Sequence, residues 1–126
     1  MTIQQLGGYL FDLGFVLGFF HTTEMVALST LFETLGSNLK SGSTSFSVKV
    51  GNAAQVGQWI AGIGFVFGWF KWLAPAQAFV TQLGAELAAG GGTFGPVRIG
   101  SEGISGSVSG GGGTDTIAFT VGSWQG

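Results

Sequence analysis

His21 is the only histidine of the chain, and there is no cysteine. A single imidazole cannot build a histidine metal cluster, and without cysteine there is neither a thiolate ligand nor a disulfide. No Ser–His triad is indicated around it. Asp12, Glu24 and Glu33 are spaced so that no two carboxylates pair for acid–base work, and cap or solvated roles suit them better. No glycine run ends in the Lys-Ser or Lys-Thr of a phosphate loop. The expectation is therefore no enzyme, no metal, no cofactor and no small-molecule substrate. With a net charge of −2, no basic stripe is available for phosphate backbones, and direct binding of nucleic acid is not expected.

One short stretch does carry a motif. GGGGTDTIA (110–118) resembles the nonapeptide GGxGxDxUx of the calcium-binding repeats-in-toxin family, over nine residues. That family holds calcium between successive stacked turns, so several copies are needed. The preceding nonapeptide, SEGISGSVS, keeps Val108 but lacks the aspartate. A glycine-rich hairpin turn closed by Asp115 is the preferred reading.

The other polar residues of interest are embedded in apolar surroundings. LGFVLGFF (13–20) returns as IGFVFGWF (63–70), and between 5–20 and 55–70 seven of sixteen positions are identical. TLGSNLKSG (34–42) is echoed by QLGAELAAG (82–90), and VKVG (48–51) by VRIG (97–100). Three matches in the same order imply a duplicated unit of roughly fifty residues. On a helical wheel Gly7, Gly14 and Gly18 fall within about 40° of one another, as do Gly57, Gly64 and Gly68. Such a stripe lets helices approach closely, and these six glycines are the candidate helix-packing positions. His21 and Lys71 lie at matched positions one turn further along the same stripe, whereas Asp12 points to the opposite side. An aspartate in such a run is costly unless it faces a wet or protein-lined surface.

The elements that must position these residues follow from periodicity. The expected fold is mostly α with short β segments. It has two tandem units of apolar helix, amphipathic helix and strand, covering 1–51 and 52–100, and a β-hairpin tail over 101–126. The apolar helices are placed at about 3–20 and 55–73. Leu28, Leu31, Phe32, Leu35 and Leu39 mark the first amphipathic helix, and Phe79, Val80, Leu83 and Leu87 the second, with Pro75 at a kink or start. FSVKV (46–50) and VRI (97–99) read as strands, and ISGSV and IAFTV as the arms of the hairpin.

Composition sets the environment. Charged residues are 8% and hydrophobic ones 45%, against roughly 25% charged in an average soluble domain. Val56–Ala74 would span about 28 Å as a helix, close to the hydrocarbon thickness of a bilayer. Trp59, Trp69, Trp72 and Lys71 sit near its ends, as residues of the membrane interface do. The opening MTIQQLGGYLFDL has no cationic n-region, so a cleaved signal peptide is not expected. These features lead to the expectation of a small structural membrane protein, resident in a virion membrane or bacterial inner membrane. Its partners would be the bilayer, copies of itself and other subunits of an assembly such as a phage particle. Two other readings stay open. One is a holin-like or pore-forming protein with Asp12, His21 and Lys71 on a water path; the other is a soluble subunit of a tail or filament.

Overall fold

Thr2 starts the first helix by a reciprocal cap. Its hydroxyl accepts from the Gln5 amide at 3.1 Å, while the Gln5 side chain accepts from the Thr2 amide at 2.8 Å. In this computed structural model, which describes residues 1–90, 92–111 and 113–124, α1 spans Ile3–Leu17 and tightens into a 3-10 turn over Gly18–Phe20. His21 then adopts a left-handed conformation, φ 58, which reverses the chain. Thr22 caps α2 (Thr23–Lys40), accepting from the Met25 amide. The two helices lie antiparallel along a seam of small residues. A Cβ on Gly7 would stand 2.7 Å from the Lys40 amide nitrogen and 2.8 Å from the Gly36 carbonyl oxygen. Gly36 in turn lies against the Phe11 backbone. Backbone thus touches backbone, and Leu6, Leu10, Leu13 and Leu17 reach across to Leu28, Leu31, Phe32, Leu35 and Leu39 in one buried cluster.

The second unit repeats this hairpin with a broken first arm. Asn52 caps α3 (Ala53–Ala61) by accepting from the Gln55 amide at 2.9 Å. Gly57 of α3 abuts the Gly84 carbonyl and the Ala88 backbone of α5 (Gln77–Ala88). The expected continuous helix over 55–73 does not form. It stops at Ala61, restarts as α4 (Gly64–Trp69), and passes through a 3-10 turn over Lys71–Ala76 that contains Pro75. The helix is weak at this point. The Gly62 and Ile63 amides bond to carbonyls three residues back, Trp59 and Ile60, and glycine in a helix interior costs about 1 kcal/mol relative to alanine. Ile63, only 1% exposed, is turned into the core by this break. Ile3–Phe20 remains the one stretch among the described residues long and apolar enough to cross a membrane, and 44% of it is buried inside the protein.

Four strands close the other side of the core: β1 (Ser45–Val50), β2 (Gly92–Ile99), β3 (Glu102–Gly111) and β4 (Thr114–Ser123). All pairs are antiparallel, in the order β1-β4-β3-β2. The β3–β4 hairpin, expected as a C-terminal tail, therefore occupies the centre of the sheet between the strands of the two units. The strands of the two units, β1 and β2, are its edges and run in opposite directions. The helix-facing side carries an aromatic row. Phe46 pairs with Phe119, which pairs with Gly106, which pairs with Phe94. Phe46 stacks on Phe119 with centroids 5.4 Å apart, and Phe94 meets Phe119 edge-on at 6.1 Å. Only glycine suits position 106, because a Cβ there would overlap the Phe94 ring. The opposite side bears Ser45, Ser47, Thr120, Ala118 and Thr93, all exposed. It is the polar half of a period-2 pattern.

Asp115 ties the sheet to the helices. Its carboxylate accepts from the Ala53 amide at 2.8 Å, a negative charge at the N-terminus of α3. Its own amide donates to the Gly51 carbonyl at 2.9 Å. The aspartate of the glycine-rich nonapeptide is thus spent on a helix cap. Gly112 of that nonapeptide lies outside the described residues.

Two outcomes are expected from chemical denaturation. Gly7→Ala and Gly57→Ala should each lower unfolding free energy by about 2 kcal/mol or more, since a methyl must separate two backbones. Gly8→Ala has open space around it and should be neutral or stabilising by about 0.5 kcal/mol or more. A chain ending at residue 100 should lose cooperative unfolding, because it lacks the strands that join β1 to β2.

Candidate functional site: an exposed aromatic end

The helix break and the chain reversal at His21 place the matched aromatic segments side by side. Asp12 and Phe15 of α1 and Phe19 of the 3-10 turn that follows line one side, turned away from the glycine stripe. Phe15 and Phe19 pack edge-on at 5.1 Å. At the matched positions of the second unit, Phe65 and Trp69 do the same at 5.3 Å, and Phe20 bridges the units by meeting Phe65 at 6.1 Å. These are not core residues. Phe15 is 58% exposed, Phe19 65%, Trp69 71% and Trp72 52%. Isolated exposed apolar side chains are ordinary, but a run of large aromatic ones marks a surface with an apolar partner.

Between the C-terminal part of α1 and the 69–72 segment lies a cleft of about 650 Å³. It is lined by Asp12, Phe15, Val16, Phe19, Phe20, Trp69, Phe70 and Trp72. Asp12 is exposed, which removes the cost that an aspartate would carry inside an apolar helix bundle. It faces this cleft and is its only charged lining residue among the described residues. Lys71, in the chain between Phe70 and Trp72, and His21 are exposed as well.

The other residues singled out by sequence divide. Gly7 and Gly14 pack on α2 within the same chain, Gly14 against the Glu33 amide and the Ser29 carbonyl. The Ser29 hydroxyl also donates to the Gly14 carbonyl at 2.6 Å, and Gly18 lies next to that hydroxyl. Gly57 packs on α5. Gly64 and Gly68, by contrast, have nothing within 4 Å of where a Cβ would stand. The glycine stripe of the second unit is interrupted because the tight turn at 62–63 advances about 120° per residue rather than 100°. Trp59 separates from Trp69 and Trp72. It is half-buried and lines a different groove, of about 510 Å³, with Leu31 of α2, Lys49 of β1, and Gln55 and Val56 of α3. The three tryptophans therefore do not bracket a single span.

Phe15, Phe19, Phe65 and Phe70 were missed by the reading from sequence. For Phe15, Phe19 and Phe65 the signal was present as aromatics four apart in both copies, Phe15 with Phe19 and Phe65 with Trp69. Among the described residues no three of His, Asp and Glu gather where a metal ion could be held.

The exposed aromatics should prove dispensable for folding. Phe19→Ser and Trp69→Ser should each change unfolding free energy by no more than about 0.5 kcal/mol. Phe67→Ser, which removes a ring only 5% exposed, should cost about 3 kcal/mol or more. Thermal or urea unfolding of the three variants makes the comparison. Protein-family models, curated proteins and solved structures contain no match to this chain.

Proposed function

We propose that this chain is a structural subunit that docks on a bilayer by its aromatic end and works in many copies within a larger assembly, such as a virion. The observation that carries this reading is the contiguous set of exposed rings, Phe15, Phe19, Phe65, Trp69 and Trp72, drawn from both units at one end of the helical layer. Rings with an apolar body, two of them indoles, suit the headgroup level of a membrane. Burial of apolar area at that depth supplies the affinity.

The mode of contact differs from a spanning helix. The leucines of α1 are committed to the core, and the second apolar segment is broken at Gly62. Docking by the exposed end leaves the core intact, whereas inserting α1 alone would expose Leu28, Leu31 and Leu35 of α2. Lateral association in the assembly has surface available at the free edges of β1 and β2. Lys49 and Arg98, both exposed on these edges, limit uncontrolled pairing.

Flotation with phospholipid vesicles tests the reading. The wild-type chain should float with vesicles, and Phe19→Ser/Trp69→Ser should reduce bound protein about tenfold or more while unfolding as the parent does. If the wild type stays with the soluble fraction and forms ordered oligomers that the double variant cannot form, the aromatic end is a protein–protein contact. The chain is then a soluble assembly subunit.

A further inference from the structure

The cleft at the aromatic end has a composition more specific than an apolar patch. Six aromatic rings, two of them indoles, line it together with one aliphatic side chain and one carboxylate, Asp12. An aromatic ring presents a negative face, which attracts a cation within about 6 Å of its centroid. A carboxylate at the same cleft adds a full charge of the same sign. Both features repel an anionic group. Both favour an ammonium, above all a methylated one, whose weak hydration makes it easy to transfer from water onto rings. Asp12 is exposed, so its carboxylate can meet such a group at the mouth without being desolvated first. The volume, about 650 Å³, lies in the range of small-ligand sites. It leaves room for a headgroup and the first methylenes of a chain beside Phe15 and Phe19.

We propose that this cleft binds the ammonium headgroup of a lipid, choline in preference to other headgroups, with Asp12 and the surrounding rings as the recognition element. The inference rests on the bilayer-docking reading and specifies which chemistry of the membrane surface is recognised. It also accounts for a sequence feature that docking alone does not use. In a stripe otherwise made of rings, the residue one turn before Phe15 is Asp12, where an apolar residue would serve simple insertion better.

The test uses four single-chain amphiphiles of equal length, each below its micelle concentration: dodecyltrimethylammonium, dodecylphosphocholine, dodecyl maltoside and dodecyl sulfate. Binding is followed by tryptophan fluorescence in the full chain. A second arm compares flotation with phosphatidylcholine and phosphatidylglycerol vesicles. The two choline-type amphiphiles should bind roughly tenfold tighter than the maltoside or the sulfate. Asp12→Asn should reduce that preference about threefold or more while leaving maltoside affinity unchanged. Trp72→Ala should weaken all four. Equal affinity for the maltoside and the choline amphiphiles, or a preference undiminished in Asp12→Asn, overturns the proposal. Its failure is distinct from failure of docking. Vesicles that float the protein whatever their headgroup, with no Asp12 effect, retain docking and reject recognition. Binding of the soluble ammonium amphiphiles that depends on Asp12, without flotation on either vesicle, retains an ammonium cleft but assigns it a free ligand in place of a membrane lipid.

Discussion

The contact on which the rest of this structure depends is backbone against backbone at two glycine pairs, Gly7 with Gly36 and Gly57 with Gly84. Helix axes in most proteins stay 8–10 Å apart because side chains hold them there. With no Cβ at the crossing, α1 settles on α2 and α3 on α5 at close range. The apolar side chains flanking each crossing, leucines in the first and Val56, Ile60, Leu83 and Leu87 in the second, then pack over one another in the common core. Each helical hairpin therefore becomes a slab with an apolar underside. Two slabs of similar construction can share one sheet.

The sheet in turn explains why a small chain with 25 glycines holds together. Neither β1 nor β2 could stand alone, since isolated short strands are marginal in water. The β3–β4 hairpin enters between them and supplies Ile104, Ile117, Phe119 and Val121 to the common core. Gly106 makes space for Phe94 to lie across the sheet, and Asp115 anchors β4 to the start of α3. The first contact reaches back to the strand of the second unit and the second joins residues 62 positions apart, so the C-terminal segment is coupled to the rest of the chain.

The aromatic end is a consequence of the same packing. Glycines on one side of α1 leave the rings on the other side with no helix to meet. In the second unit the break at Gly62 turns Val66 and Phe67 inward and leaves Phe65 and Trp69 outside. The reversal at His21 and the 3-10 turn over Lys71–Ala76 bring both sets to one place. Asp12 then borders a cleft that no single segment could have formed.

Local and periodic features were legible in the residues alone: the repeated order of helix, helix and strand, the inward leucines of α2, the alternation of β1 and β4, and the pairing of Gly7 with Gly57 as matched positions. Those features follow from periods of 3.6 and 2 residues and from Cβ geometry, all of which act over a few residues. Only the tertiary structure decided that the apolar segment of the second unit breaks, because burying Ile63 in the shared core outweighed the continuity of a helix weakened by Gly62. It also decided that β3 and β4 are the centre of the sheet, since hydrogen-bond partners of a strand are chosen by which edges the helices leave open. Finally, it decided that Asp12 joins the rings of 69–72 and that Trp59 does not. Spacing along a chain places side chains on a face, while the neighbour that face meets depends on how the whole core closes.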